Sequence, residues 1–427
     1  MTLSAPSPLR RFILASGMTN LADGVAVVVW AWLATLLTRD PMLVTLMPIT
    51  LRLPWFLFAL PAGVVTDRLD RRRLILAMDL LRACAFALAA LTIWLALPLS
   101  PAPDSGTASP GLFAALLGCA LLVGTAEVFR DSAAQTMLPA IVPHDQLERA
   151  NGRLWSVEMV GNALLGPAVG AFLIASVFWL PFALNALCFL IAVGLMRSLQ
   201  GRFTPRRAGA RNWRKELGDG LAFLRGSALL RLLAVITGVW NLLHQMVVIA
   251  LVLHVQENLG LGASGYGLIL AAGALGGVLG GFCAERIVRR LGNGTSAQWM
   301  TLASALAFAA LPLAPNGWVL AAVLAAFEFC GLVWNTVSVS YRQRHVPDEI
   351  LGRVNATYRL FAWGMMPIGL FLSGVVIRGA EAVMPRGLAL QMPFVVAAAG
   401  VIVLTAWAWR RLDAGFAGAD ATGARSA

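Results

Sequence analysis

The sequence predicts an all-α membrane protein: twelve transmembrane helices in two pseudo-symmetric six-helix bundles. Three observations lead there. The 427-residue chain is 59% hydrophobic and 13% charged, with a mean hydropathy of +0.76, whereas soluble domains run nearer half apolar and a quarter charged. Its apolar residues fall into runs of about 20, the length a helix needs to cross about 30 Å of hydrocarbon. They are continuous rather than alternating, which excludes a transmembrane β-barrel. The third observation is internal repetition. Gly63-Val-Val-Thr-Asp67-Arg68-Leu-Asp70-Arg71-Arg72 and Gly281-Phe-Cys-Ala-Glu285-Arg286-Ile-Val-Arg289-Arg290 share one pattern 218 residues apart: Gly, three residues, an acid, Arg, two residues, Arg-Arg. Pro143-His-Asp145-Gln-Leu147-Glu-Arg149-Ala-Asn151 recurs 204 residues later as Pro347-Asp-Glu349-Ile-Leu351-Gly-Arg353-Val-Asn355. The longer outer loop at 99–110 absorbs the difference between the offsets. Parallel six-span repeats are one architecture of secondary transporters.

In order, the spans are expected at roughly 12–37, 43–66, 74–98, 111–138, 153–176, 178–198, 229–255, 264–284, 296–314, 317–340, 356–378 and 390–410. Residues 1–198 form the first bundle, 199–228 a cytoplasmic linker, 229–411 the second bundle and 412–427 a disordered tail. Within the linker, Trp213, Leu217, Leu221 and Leu224 share one face of an amphipathic helix expected to lie on the inner leaflet. Ser100–Pro110 is a turn-rich outer loop.

Arginine placement fixes orientation. With the amino terminus inside, the cytoplasmic segments collect Arg10, Arg11, Arg68, Arg71–Arg73, Arg149, Arg153, the linker arginines, Arg286, Arg289, Arg290, Arg342, Arg344, Arg353, Arg410 and Arg411. The outer loops keep only Arg39, Arg378 and Arg386. This asymmetry puts both termini in the cytoplasm. It also accounts for the net charge of +12 without nucleic acid as a partner. The five cysteines lie singly in apolar runs and read as small core residues, with neither a disulfide framework nor a metal site. The four histidines are scattered and no P-loop is present, so neither a membrane enzyme nor an ATP-driven pump is expected.

Twelve spans and the duplicated Gly-acid-Arg hinge resemble the major facilitator superfamily over about residues 10–411. The Pro-acid-Leu-Arg-Asn elements, Arg130-Asp131-Ser-Ala, and Leu217-Gly-Asp219-Gly-Leu-Ala-Phe-Leu224 are similar to the branch holding bacterial enterobactin exporters and macrolide-efflux proteins. The resemblance implies a monomer in the bacterial cytoplasmic membrane, surrounded by lipid. It would export a small hydrophobic or amphipathic molecule by alternating access, with a proton gradient and no cofactor. An importer or a lipid flippase on the same fold is the alternative. Asp70 replaces the glycine usual after the first Asp-Arg pair; a left-handed Asp is one way to keep the turn. Gly161, Gly166, Pro167 and Gly170 resemble the Gly-Pro motif of antiporter branches, and helix packing is their expected role.

A charge at mid-membrane costs about 2.5–3.5 kcal/mol on insertion scales, so each needs a partner or a watery cavity. Asp79 and Arg82, three apart, are expected to pair on one helix face. Gly63, Asp67, Arg68, Arg71, Arg72, Glu127, Arg130, Asp131, Glu285, Arg286 and Arg289 are the gating candidates. Asp67 would accept from the amides opening span three, Arg71 and Arg72 would bridge to acids on neighbouring helices, and Arg130 and Asp131 would meet the Asp67 loop. Asp23 and Glu328, mid-span, are the proton-coupling candidates. Arg52 is deep enough to pair with Asp23, so Asp23 is either a titrating group or half of a fixed ion pair. Asn20, Trp30, Trp240, Asn241, His244, Gln245, Trp334, Asn335 and Trp363 are the candidates to line a substrate cavity, aromatic and poor in charge.

Overall fold

A computed structural model describes residues 8–66, 68–142, 147–201, 203 and 213–426, and every regular element among them is helical. The helices are α1 (Pro8–Leu37), α2 (Pro41–Thr66), α3 (Arg71–Leu95), α4 (Pro110–Met137), α5 (Leu147–Glu158), α6 (Gly166–Ser176), α7 (Leu180–Arg197), α8 (Trp213–Gly226), α9 (Ala228–Leu253), α10 (Ala263–Leu291), α11 (Asn293–Ala310), α12 (Gly317–His345), α13 (Asp348–Glu381), α14 (Arg386–Ala389) and α15 (Met392–Ser426). A π-helical turn, Met159–Leu165, joins α5 to α6, so the two make one span. Among the described residues, twelve helices are long and apolar enough to cross a membrane. The fold is that of an all-α, twelve-span membrane protein.

The chain divides into two compact units. Residues through Arg211 with Gly262–Ala271 make the first; Asn212–Leu261 with Ala272–Ala427 make the second. In the first, α1 packs on α7, α5 and α6, α3 lies between α4 and α7, and α4 also meets α2. The α1 contact is close because glycines face each other: a Cβ on Gly166 would meet Gly24, and one on Gly170 would meet the Val25 carbonyl. The Gly-Pro stretch is thus a packing face, as its composition predicts. The first turns of α10 belong to this unit, where Gly267 abuts Ala171 and Tyr266 lies 5.9 Å from Trp32.

In the second unit α9 packs on α13 and α15, and α11 packs on α12 and α15. Two expectations are corrected here. The linker helix α8 does not simply lie on lipid. It packs against α13, with Leu224 buried, a Cβ on Gly220 blocked by Arg353 and Thr357, and Asp219 paired to Arg353 at 2.9 Å. The tail is not disordered: α15 continues through Ser426, and Leu412 and Phe416 are buried, Phe416 lying 5.5 Å edge-on to Tyr341. Buried apolar side chains at i and i+4 carry the helix past 410, where the span was expected to end.

Span α10 crosses α12 on glycine. A Cβ on Gly276 would collide with the Ala325 carbonyl and one on Gly280 with Phe329, while Gly281 faces open space. Gly276→Ala is expected to cost about 1–3 kcal/mol by overpacking. Gly281→Ala should stay within about 0.5 kcal/mol. Thermal midpoints of the detergent-purified variants check the contrast.

Candidate functional site

The charges within the first unit's spans converge. Asp23 comes from α1, Asp79 and Arg82 from α3, and Glu127, Arg130 and Asp131 from α4. Arg82 donates through Nη2 to Asp23 Oδ1, and the same nitrogen lies 3.8 Å from Glu127 Oε2. Its guanidinium rests 4.2 Å above the Phe189 ring of α7. One buried cation therefore joins its own helix α3 to three others. Arg130 lies 3.5 Å from Asp79 Oδ1 and 3.1 Å from Asp131 Oδ1. Asp79 is fully buried and neither of its oxygens accepts a hydrogen bond, whereas the Asp23 and Glu127 side chains keep 19% and 22% exposure.

Several expected pairings are thereby corrected. Asp23 pairs with Arg82 rather than Arg52, which is exposed on α2 and acts on Glu127 only through its field. Asp79 pairs with Arg130, not with its helix neighbour Arg82. The reason is geometric. Arg82 reaches across helix gaps to Asp23 and Glu127, and Arg130 divides itself between Asp79 on α3 and its own neighbour Asp131.

The hinge differs from expectation as well. Asp67 lies outside the described residues. Asp70 is extended (φ −63°, ψ 116°), not left-handed, and its Oδ1 accepts from Arg73 N at 2.9 Å as the N-cap of α3. Asp replaces the usual glycine by a capping role. Arg71 donates to the Thr136 carbonyl at 2.8 Å and Arg72 to the Leu199 carbonyl, so these arginines hold backbone ends of α4 and α7 rather than acids. A Cβ on Gly63 would meet nothing, and Arg68 is exposed. Arg130 and Asp131 are engaged with each other and with Asp79. In the second copy Glu285 and Arg289 form an exposed pair at 3.8 Å, and Arg286 is exposed. Such a pair contributes little.

The cavity candidates separate into packing residues and open ones. Trp30 is buried against Phe182 (4.9 Å) and Phe86 (6.0 Å), and belongs to the core. Buried Asn241 donates to the Ala362 carbonyl at 2.9 Å, tying α9 to α13. Trp334 is buried and donates to Thr237 at 3.3 Å. Asn20 donates to Ser16 within its own helix at 2.8 Å. Trp240, His244 and Gln245 remain half-buried, Asn335 is exposed, and Trp363 carries Arg359 4.6 Å above its ring. His244 Nε2 stands 3.4 Å from Glu328 Oε1, a pair the sequence did not indicate.

Sequence reasoning also missed two networks. Arg386 makes a two-point contact with Glu257 (2.6 and 2.8 Å) and a third with Glu381 (2.6 Å), so its charge is neutralised on the spot. Buried Arg342 donates to Ser338 at 2.8 Å and Asn355 at 3.2 Å and stacks 3.8 Å over Tyr358, whose hydroxyl donates to the Leu233 carbonyl at 2.9 Å.

Residues 5–418 match the MFS_3 family, described as transmembrane secretion effectors. The chain belongs to that family. It is 26% identical over 312 residues to the enterobactin exporter EntS of Shigella boydii serotype 18, covering 71% of this chain and 69% of that one. The same figures hold for the Escherichia coli O1:K1 protein. By shape the transporter is similar to a bacterial homologue of the iron transporter ferroportin in its inward-facing state (TM-score 0.73, 16% identity, 95% and 98% of the two chains). It is also similar to the nucleoside transporter NupG (TM-score 0.69, 14% identity, 95% and 99%). The major facilitator fold and a transport role follow.

Removing the bridging cation leaves two acids bare in lipid. Arg82→Met is expected to cost about 3–5 kcal/mol, the usual penalty for stranding a buried charge. Arg82→Met/Asp23→Leu should recover at least half of the loss in a double-mutant cycle of thermal midpoints.

Proposed function

We propose that the transporter exports a small hydrophobic or amphipathic molecule across the bacterial cytoplasmic membrane by alternating access, in exchange for protons. The junction of Asp23, Arg82 and Glu127 carries this reading. Four acids surround two arginines in the first unit, so full ionisation leaves an excess of negative charge in a medium that tolerates none. Exposed Arg52 offsets part of that excess from a distance. Protonating one carboxyl group relieves it.

Asp23 and Glu127 keep partial exposure and share one arginine, so the exchanging proton belongs to them; Asp79, sealed against Arg130, is structural. A proton arriving on Asp23 releases Arg82 from α1 and leaves it to Glu127 on α4. Its departure restores the first pairing. Arg82 therefore changes which helix it holds without ever standing unpaired. The arginine asymmetry supports a cytoplasmic location for both termini and both hinges. Export as the direction is supported by similarity to the enterobactin exporters.

The test uses inside-out vesicles with an acidic interior, and a catecholate siderophore and a lipophilic macrolide as probes. Wild type should accumulate at least one of them, and a protonophore should abolish the accumulation. Asp23→Asn should lower gradient-driven uptake at least tenfold at unchanged abundance in the membrane. Uptake confined to right-side-out vesicles, no uptake of either probe, or full pH-driven uptake by Asp23→Asn overturns the reading.

A further inference from the structure

Arg82 and Arg130, the buried arginines of the first unit, each lie beside two acids. Arg342, buried near the C-terminal end of α12, lies beside none among the described residues. Its Nε donates to Asn355 Oδ1 at 3.2 Å and its Nη1 to Ser338 Oγ at 2.8 Å, while the Tyr358 ring lies 3.8 Å from its Cζ. Nη2 has no hydrogen-bond partner among the described residues and is not sealed from solvent. The residue is 8% exposed, so a nearly enclosed cation keeps one open edge.

The neutral groups around it are wired to hold a cation without neutralising it. Tyr358 gives its hydroxyl proton to the Leu233 carbonyl at 2.9 Å. Ser338 (3.0 Å) and Thr237 (2.6 Å) therefore donate to the Tyr358 oxygen. Thr237 in turn accepts from Trp334 Nε1 at 3.3 Å, and Ser338 accepts from Arg342. This chain ties α12 to α9 and α13 and fixes the guanidinium in place, yet it holds no negative charge. Arg359, the residue after Tyr358, adds its positive charge to the field at Arg342. The repeat shows that the bundle closes without a cation there. The offset of 204 residues sets Arg342 opposite Leu138 and Tyr358 opposite Leu154, and Leu138 is buried.

We propose that Arg342 anchors a binding site for a small organic anion, with a carboxylate taken at Nη2. A guanidinium cannot shed its proton, so its countercharge has to be brought to it. Its planar, fixed donors match a carboxylate in shape as well as in charge. The packed core around it is apolar, with Leu233, Val337, Val346 and Val354 close by in the same cluster, so salt screens the attraction little. The site deepens the export reading by giving the amphipathic cargo a negative end, and it rests on that reading for its role in transport. In the orientation that the arginine asymmetry supports, this end of α12 faces the cytoplasm, where an exported molecule loads.

Fluorescein, a dianion at pH 8, and a rhodamine methyl ester, a cation on the same ring frame, are the probes. Their affinities for the purified full-length protein in a maltoside detergent are read by fluorescence polarisation. Wild type should bind fluorescein at least tenfold more tightly than the rhodamine ester. Arg342→Gln and Arg342→Leu should each weaken fluorescein at least tenfold and shift the rhodamine ester less than twofold. Arg342→Lys, which keeps the charge but not the planar donors, should fall between. Leucine is what the first bundle carries at this place, so that variant is expected to fold; thermal midpoints and elution volumes matching wild type qualify each variant. Excess benzoate should displace fluorescein, and benzamide, its neutral counterpart, should not. Absence of fluorescein binding to wild type, unchanged affinity in a folded Arg342→Gln or Arg342→Leu variant, or equal weakening of both dyes overturns the proposal. Displacement by phosphatidylglycerol but not by benzoate gives the arginine to a lipid phosphate and overturns it too. The measurement uses no gradient, so its failure leaves the vesicle result on Asp23 standing, and the reverse also holds.

Discussion

The guanidinium of Arg82 is the constraint on which the first unit depends. It has no water to return to, so the helices around it must present its partners at fixed places. Helix α1 brings Asp23, α4 brings Glu127 and α7 brings the Phe189 face. The position of α1 is set on two further sides. Gly24 meets Gly166 on α6, and Asn185 of α7 donates to the Ala22 carbonyl at 2.9 Å, one residue before Asp23. The packing of Trp30 against Phe86 and Phe182 then closes the same α1–α3–α7 seam two turns farther along. A polar junction that is costly if misplaced is thus held by apolar and glycine contacts that leave α1 little freedom. The π-helical turn Met159–Leu165 lies against α1 at the same level, and such turns often accompany functional positions in helices.

The fold was largely legible and the pairings were not. Run length and hydropathy suffice for twelve spans because lipid forces every backbone amide into a helix, whatever the sequence details. The duplicated hinge made the two-bundle arrangement readable for the same reason: it is a local pattern. The partner of Asp23 lies 59 residues away on a helix whose rotation no local pattern fixes. Reading Asp79 with Arg82 assumed that i,i+3 neighbours claim each other. Arg82 instead pairs across a helix gap with Asp23, and Asp79 is met by Arg130, which also holds its own neighbour Asp131. The His244–Glu328 pair was hidden likewise, although both residues stood out singly. The tail was misjudged because its Gly/Ala composition masks two buried anchors, Leu412 and Phe416.

The hinge shows how a motif can keep its charge pattern while its contacts differ from the expected ones. Arg71 and Arg72 donate to carbonyls at the ends of α4 and α7, where the helix leaves its last oxygens without partners. A guanidinium there meets both an acceptor and the negative end of the helix dipole. Asp70 caps the start of α3 at the other side of the same turn. The corner is therefore stitched by charge-to-backbone bonds within the first unit. The degenerate second copy is different: Glu285 and Arg289 are exposed and meet only along their own helix.

Comparison of the repeats sets the first unit's buried charges apart. The offset of 218 residues that relates the hinges sets Asp23 opposite Asn241, Asp79 opposite Ala297 and Arg82 opposite Met300; the offset of 204 sets Glu127 opposite Gly331 and Arg130 opposite Trp334. Every member of the network has a neutral counterpart. Asn241 and Ala297 are buried in the second unit, and Asn241 spends its amide on the Ala362 carbonyl. The scaffold thus closes at those positions without charge. Retaining six ionisable groups in the first unit is then not required to build a six-span bundle, and their cost in lipid argues for a role in which charge itself changes. Gly331, opposite Glu127, leaves room for the Trp240 ring, and the second unit's own acid lies three residues earlier as Glu328, 3.4 Å from His244. The acids of the first unit thus face guanidinium groups and the acid of the second an imidazole, so the two units differ in the partner each acid is given.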